Sequence, residues 1–303
     1  MNKYLVYIFF SIILVFVVVI QVAIRRGGKT ATSISRLHDE PSLPLSGKIK
    51  KTKEGFAKAE ANIKAVKINV EYETMVAIPA GYFTMGDSSG DFSVRPGRKV
   101  FLQAYAIDKY ETTFAQYYEF VAKTGHRKPR LAGYLAVGSE GLPLLMNPYN
   151  PVVGVSWEDA KDYCLWKKKG LPTEAEWEKA AKGLNQRKWP WGNEENPLNA
   201  NFAGDKDGYF YTAPVGSFKT DKSPFGVYDM AGNVMEWVND WYDQNAYKTL
   251  LNLNPFGPET GQSRVIRGGS WNDSILRGEN TIRFKMLPEY RDVTIGFRCA
   301  KSA

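Results

Sequence analysis

The chain has 303 residues, enough for one large domain or two ordinary ones, and 44% of them are hydrophobic, so a sizeable core is expected. Its formal net charge of +8 is concentrated near the amino terminus: residues 25–67 hold 11 basic side chains against four acidic ones, and Lys3 supplies the remaining charge. Residues 68–303 are neutral overall, which excludes nucleic-acid binding through general basicity, and no nucleic-acid partner is expected.

A membrane anchor is the first predicted element, at residues 1–24. Residues 4–24 carry no charged side chain, and a helix of 21 residues is about 31 Å long, close to the hydrocarbon thickness of a bilayer. The alternative is a cleaved signal peptide. The apolar run is longer than such peptides use, however, and no small-residue cleavage site precedes Arg25 and Arg26. We therefore expect a single-pass protein of the inner (cytoplasmic) membrane.

Residues 25–72 are interpreted as a basic linker, with a short helix at about 54–66. Such a segment could lie on anionic lipid, at about 1 kcal/mol per charge, or it could simply be solvated. The orientation of the anchor has two opposing signals. Basic residues directly after the apolar run would place the following domain in the cytoplasm, whereas the cysteines discussed below favour export.

The main domain is predicted at residues 73–303. It begins with a strand, a turn and a second strand over 75–86, and three helices follow. Each helix is announced by a capping box, a hydroxyl residue followed three positions later by an amide or carboxylate: Thr113 with Gln116, Ser156 with Asp159, and Thr173 with Glu176. Gly125 and Gly183 are predicted to end the first and third helices. More than 100 loop-rich residues follow Gly183.

Eight short motifs occur in a fixed order between residues 75 and 300. They lie at 75–86, 151–160, 171–178, 189–192, 212–215, 229–237 (DMAGNVMEW), 267–271 (RGGSW) and 296–300. Together they resemble the formylglycine-generating-enzyme, or sulfatase-modifying-factor, family. Its domain is shared with pyoverdine-maturation proteins and sulfoxide synthases. The resemblance implies an α+β domain of the formylglycine-generating-enzyme fold, which is C-type-lectin-like and has little regular secondary structure. The chain has only two histidines, so it cannot form the three-histidine iron site of the synthases.

The resemblance also implies two calcium sites. At the first, the ligands would be the side chains of Asn201 and Asp207 and the carbonyls of Phe202 and Tyr209. At the second, they would be the side chains of Asp229 and Glu236 and the carbonyls of Gly232 and Val234. These are the hard oxygen ligands that calcium prefers. The alternative is that the first group is only a turn and Glu236 only a surface acid.

The two cysteines, Cys164 and Cys299, match positions that the resemblance says are joined as a disulfide. Such a bond persists in an oxidising compartment, so we expect the domain to face the periplasm or the exterior. The alternative is two separate buried thiols in a cytosolic protein.

The copper chemistry of the family depends on two cysteines that follow the Gly-Gly-Ser motif ending at Ser270. Asp273 and Gly278 occupy those positions here. Copper(I) is a soft metal that needs sulfur ligands, and neither residue supplies sulfur. Copper is therefore not expected as a cofactor, and copper-dependent formylglycine generation is not expected as an activity, which indicates a pseudoenzyme.

The leading hypothesis for function is a binding or assembly component of an exported or membrane complex, with a protein partner. The alternative is an enzyme that modifies an exported protein or metabolite through a pocket near Asp273. A third interpretation is a glycan-binding module in which Trp237, Trp241 and Trp271 line a sugar or peptide groove; aromatic packing in a loop-rich core explains these residues equally well. The charge-dense segment 273–292 is either a polar cleft or, as we favour, a solvated and salt-bridged face.

Overall fold

The computed structural model describes residues 45–66, 70–131, 144–249 and 251–302. The chain divides into two units, Met1–Lys48 and Ile49–Ala303. The first unit, including the predicted anchor, lies almost wholly outside the described residues. Within the described ranges, no helix combines the length and apolar character that crossing a bilayer requires.

The first helix, α1, spans Leu45–Ala65 and is longer than the helix predicted at 54–66. Ala59 and Ile63 are each 2% exposed, and Phe56 packs against the same apolar cluster. Their spacing of three and four residues places them on one face of the helix. Numerous lysines obscure this short apolar stripe in the sequence. This part of the predicted linker is therefore helical and packed against the domain.

The three predicted capping boxes are confirmed. Helices α2 (Phe114–Thr124), α3 (Trp157–Trp166) and α4 (Glu174–Lys182) each follow a hydroxyl residue whose side chain accepts a hydrogen bond from the third amide of the helix. In return, the side chain at that third position accepts from the amide of the cap. Gly125 ends α2 at a φ of 75° and Gly183 ends α4 at a φ of 71°, both in the region that favours glycine. Local chemistry thus sets the limits of these helices.

In the described residues, nine short strands form three sheets. The strands are β1 (Met75–Ile78), β2 (Gly81–Met85), β3 (Arg98–Leu102), β4 (Tyr105–Asp108), β5 (Met235–Trp241), β6 (Arg264–Arg267), β7 (Arg283–Met286), β8 (Ile295–Gly296) and β9 (Ala300–Ser302). The sheets have the orders β1-β4-β9, β2-β3 and β7-β6-β5-β8, and only the β5–β8 pair is parallel. The predicted strand–turn–strand at 75–86 is confirmed, but β1 and β2 belong to different sheets. A short helix, α5 (Ala246–Thr249), follows β5.

Two large apolar clusters and a smaller third one form the core. Tyr117 and Trp237 belong to the first, and Trp177 and Tyr247 belong to the second; all four are completely buried. The third consists of Trp189, Ala200, Phe202, Ala231 and Ile275. It contributes to the candidate site because Ile275 opens the 3₁₀ turn that ends at Gly278.

The predicted loop-rich region is confirmed between α4 and β5, where the only regular element is the 3₁₀ turn Pro197–Asn199. Buried side-chain hydrogen bonds hold these loops. The Asn233 Nδ2 donates to Glu111 Oε2 at 2.6 Å, and its Oδ1 accepts from the amide of Ala213 at 2.9 Å. Such bonds satisfy the polar groups that an irregular backbone brings into the interior.

Candidate functional site

The segment after β6 carries the two positions where the family has cysteines. It begins with Gly268 and Gly269, at φ values of 99° and 72°. A Cβ at Gly269 would lie 3.0 Å from the amide nitrogen of Gly278. The double glycine therefore allows the chain to turn tightly against the residues that carry the second of these positions.

Asp273, at the first cysteine position, is held by two neighbours. Its Oδ2 accepts a hydrogen bond from the Ser270 hydroxyl at 2.6 Å, and its Oδ1 lies 2.5 Å from Arg277 Nε. The side chain is 14% exposed. The carboxylate is thus fixed by a hydroxyl and a guanidinium, and a small part of it reaches the surface.

Gly278, at the second cysteine position, has no room for a side chain. A Cβ there would lie 2.5 Å from Cζ and 2.6 Å from Cε1 of Phe202, closer than real contacts of this kind. Phe202 is 4% exposed and packs with Trp189 and Ile275. The sequence shows that sulfur is missing at 278, and the structure adds that an aromatic ring fills the volume that a cysteine side chain would need.

In the first predicted calcium group, Asp207 contacts the backbone of two other predicted ligand residues. Its carboxylate accepts from the amide of Tyr209 at 2.9 Å and from the amide of Phe202 at 3.3 Å. Asn201 donates its Nδ2 to the carbonyl of Tyr211, whereas its Oδ1 is buried without a hydrogen-bond partner. A buried amide oxygen in that state carries a desolvation cost that a bound cation would remove. These donors therefore fit a hard cation.

At the second predicted calcium group, Glu236 is already engaged. Both of its oxygens accept from Arg298, at 2.8 and 2.7 Å, and Oε2 also accepts from the indole of Trp177 at 2.9 Å. Asp229 accepts from the amide of Gly216 at 2.7 Å. Glu236 is completely buried, so the alternative of a surface acid is wrong, and its main partner is a guanidinium.

Two acids that the sequence analysis missed, Glu111 and Asp221, lie in the same buried group. Burial, followed by the charges of Asp229 and Glu236, raises the pKa of Glu111 well above its usual value. Burial, followed by the charge of Asp229, does the same for the pKa of Asp221. Burial also raises the pKa of Asp229 to about 7, against the opposing effects of the Gly216 amide and Arg298. The group therefore has more carboxylates than Arg298 can neutralise.

This excess charge calls for protons or for a cation, because uncompensated buried carboxylates are costly. Asp221 Oδ1 is buried without a hydrogen-bond partner. Within the described ranges, however, no three or more His, Cys, Asp and Glu side chains are placed to hold a metal by themselves. A cation in this region would therefore need carbonyl and amide oxygens, such as the predicted carbonyls of Gly232 and Val234, among its ligands.

The predicted disulfide is confirmed: Cys164 in α3 is bonded to Cys299, one residue before β9. Both residues are completely buried. The bond closes a sequence separation of 135 residues and joins α3 to the residue that precedes β9. No free cysteine remains in the described residues, and the chain has two cysteines in all.

The charge-dense segment 273–292 is salt-bridged, as favoured, but the prediction of a solvated face is wrong for part of it. Arg283 is 6% exposed and donates to both oxygens of Glu174, at 2.6 and 2.7 Å. Arg291 contacts the buried Asp159 at 3.3 Å. The partners of both pairs come from helices and caps distant in sequence, so the segment alone did not indicate them. Trp237, one of the predicted groove tryptophans, is fully buried core.

Comparison with known proteins identifies the domain. The sulfatase-modifying factor enzyme 1-like domain matches residues 60–303. The formylglycine-generating enzyme of Thermomonospora curvata is 34% identical over 282 residues, covering 75% of this chain and 92% of that protein. The inactive C-alpha-formylglycine-generating enzyme 2 of Bos taurus is 32% identical over 286 residues, covering 78% of this chain and 90% of that protein.

A solved structure supports the same assignment. PvdO from Pseudomonas aeruginosa superposes with a TM-score of 0.64 at 29% identity, covering 76% of this chain and 94% of that one. The fold, the motif order and the disulfide therefore lead to one conclusion: the chain belongs to the sulfatase-modifying factor enzyme 1-like family.

Proposed function

We propose that this chain is a family member without formylglycine oxidase activity, and that it works as a binding or assembly component of an exported or membrane complex. One observation carries the proposal: at the two positions of the copper-binding cysteines stand Asp273 and a glycine whose side-chain volume is filled by Phe202. The resident cysteines are bonded to each other and leave no thiolate for copper(I). A relative named as an inactive C-alpha-formylglycine-generating enzyme 2 supports the first half of the proposal, the absence of oxidase activity.

Copper titration tests this proposal through three forms of the full chain: the natural chain, Asp273→Cys/Gly278→Cys, and the same pair with Phe202→Ala. Copper(I) is loaded anaerobically against a coloured chelator. We expect the natural chain to leave copper with the chelator. The double variant should bind it weakly, because the ring of Phe202 opposes a side chain at 278. The triple variant should bind it as a two-thiolate site.

Thermal unfolding of each form is the control, since Phe202→Ala leaves a cavity that costs about 3–5 kcal/mol. Incubation of the natural chain with oxygen, copper and a cysteine peptide that serves a formylglycine-generating enzyme is the decisive assay. Production of the aldehyde would end the proposal.

The enzyme alternative rests on the Ser270–Asp273 pair, which joins a hydroxyl to a partly exposed carboxylate. Asp273→Asn separates the two hypotheses in cells that lack the natural gene. An enzyme that uses the carboxylate as an acid or base loses its function, whereas a binding component retains it. Asp205→Asn, at an exposed position of another loop, is the matched control.

We also infer calcium as a stabilising ligand, in up to two positions. The support is the unpartnered Oδ1 of Asn201, the residue before Phe202 whose amide Asp207 accepts from, and the excess of buried carboxylates near Asp229. At the first position, calcium would cross-link a loop that lacks regular structure. The chain's own contribution is to hold Asp207 by two backbone amides before the cation binds. Little conformational freedom of this side chain is then lost on binding.

For location we propose a single-pass anchor at residues 1–24 in the inner membrane, with the domain in the periplasm or outside the cell. The support is the uncharged run at 4–24 together with the Cys164–Cys299 bond, which belongs to an oxidising compartment. Protease added to intact spheroplasts should digest the domain. Protection until the membrane is lysed would place the domain in the cytoplasm and contradict the proposal.

A further inference from the structure

A cleft of about 750 Å³ opens beside the amino-terminal end of α3, the end of β5 and the segment that follows α5. Trp157, Trp241 and Arg264 are among the residues that line it. None of the family-pocket residues Ser270, Asp273 and Gly278 lines this cleft. It is therefore a second concave surface, distinct from the pocket that the family relationship points to.

Arg264 is held between two indole rings. Its Cζ lies 3.6 Å from the ring centroid of Trp157 and 3.5 Å from that of Trp241. Trp157 is fixed by a hydrogen bond from its Nε1 to the carbonyl of Val238 at 2.8 Å. Trp241 is packed by Gly261, where a Cβ would approach its side chain to 2.9 Å. The guanidinium is thus restricted to one plane before any ligand arrives.

This guanidinium has no acidic partner within salt-bridge distance in the part of the chain that the structure describes. Its Nη1 donates to the carbonyl of Asn239 at 2.6 Å, and its Nε is buried without a hydrogen-bond partner. By contrast, the fully buried Arg267 and Arg298 each pair with a glutamate at 2.7 Å. Burial lowers the pKa of Arg264 to about 10, against the opposing charges of Glu158 and Asp240, so it stays charged at neutral pH with both acids beyond salt-bridge distance.

The walls of the cleft indicate what kind of anionic ligand would fit beside Arg264. Phe256 and Leu251 line it and are 62% and 73% exposed, so both offer apolar surface to a ligand in the cleft. The Nζ of Lys161 lies over the indole of Trp157, 5.1 Å from the ring centroid. Asp240, Asp243 and Glu259 also line the cleft. Because these acids repel a highly charged ligand, a single negative charge on an apolar body fits best.

We propose that this cleft binds an organic carboxylate with an apolar body, with Arg264 anchoring the carboxylate and Phe256 covering the apolar part. Two sources share this chemistry: a free aliphatic or aromatic acid, and the terminal carboxylate of a polypeptide that ends in an apolar residue. A planar guanidinium suits a carboxylate because it offers parallel donors in a fixed geometry. The site goes beyond the proposed function, since its ligand depends on neither Asp273 nor copper.

Calorimetric titration of the full chain distinguishes the sources. The probes are 3-phenylpropionate and its amide, and a hexapeptide ending in Leu-Phe with a free or an amidated terminus. We expect each acid to bind at least about tenfold more tightly than its amide, the difference that a charge-assisted hydrogen bond supplies. Tighter binding of the free peptide points to a polypeptide terminus, and binding of phenylpropionate alone points to a small acid. Equal binding of acid and amide, or no binding of any acid at 10 millimolar, overturns the proposal.

Two variants locate the binding in the cleft. Arg264→Gln should weaken the binding of 3-phenylpropionate at least about tenfold. If this variant keeps the natural melting temperature and its affinity is unchanged, the role of Arg264 is refuted. Phe256→Ser should weaken binding several-fold without loss of stability, because the side chain is mostly exposed. Phe210→Ser is its matched control, since Phe210 is 67% exposed and does not line the cleft. If Phe210→Ser has the same effect as Phe256→Ser, the assignment of the apolar wall is wrong.

Discussion

Loss of the Cys164–Cys299 bond should lower the free energy of unfolding by about 5 kcal/mol. The two cysteines are 135 residues apart in sequence, and closure of a loop of that length removes this amount of conformational freedom from the unfolded chain in the entropic description. A domain of this size loses about 2–4 °C in melting temperature per kcal/mol. We therefore expect a decrease of roughly 10–20 °C. Alanine at both sites adds little cost of its own, because both side chains lie within an apolar cluster and make no side-chain hydrogen bond.

The assay compares equilibrium unfolding by urea for three samples: the oxidised chain, the natural chain with a reductant, and Cys164→Ala/Cys299→Ala. The reduced chain should reach equilibrium slowly, since both sulfurs are buried, and should then match the double variant. The variant should also be insensitive to reductant. If the oxidised and reduced chains unfold at the same urea concentration, the reasoning from loop length is refuted.

Three further predictions concern charge and metal. Chelation of calcium should lower the melting temperature and millimolar calcium should restore it; Asn201→Ala should reduce this response by the share of the first position, and an unaffected response would remove calcium from that position. Glu178→Gln should lower the free energy of unfolding in urea by about 3–5 kcal/mol, because it leaves the buried Arg267 without the charge that it contacts at 2.7 Å. Glu158→Gln, at an exposed helix position, is the control and should change stability by less than about 0.5 kcal/mol. Burial, followed by a neighbouring glutamate, raises the pKa of Asp240 from 3.8 to about 7. The folded state then holds that proton more tightly than the unfolded one, so stability falls as pH rises from about 4 to about 7. Asp240→Asn should reduce the difference in melting temperature between pH 5 and pH 8, and an unchanged difference would contradict the assignment.

Local patterns predicted the helices well. The capping boxes at Thr113, Ser156 and Thr173 involve residues three positions apart, so the sequence contains every group that forms them. The loop-rich character after Gly183 is likewise visible in composition. Helix α1 was underestimated because its apolar stripe is narrow, and its stability comes from packing against the domain rather than from its own sequence.

The site was predicted in part. The resemblance correctly joined Cys164 to Cys299, and the structure places Asp207 beside the amides of Phe202 and Tyr209. Glu111 and Asp221 gave no local signal, because an isolated acid in sequence looks the same whether it lies on the surface or inside. Only the folded chain shows that both are buried with Asp229.

By itself, the sequence determined the family, the starts of the helices and the absence of sulfur at Asp273 and Gly278. The tertiary structure alone decided that Phe202 fills the space at Gly278 and that Arg264 lies between Trp157 and Trp241. These contacts join residues tens of positions apart, and the free energy that selects them comes from burial and charge pairing across the whole fold. No short stretch of sequence contains both partners.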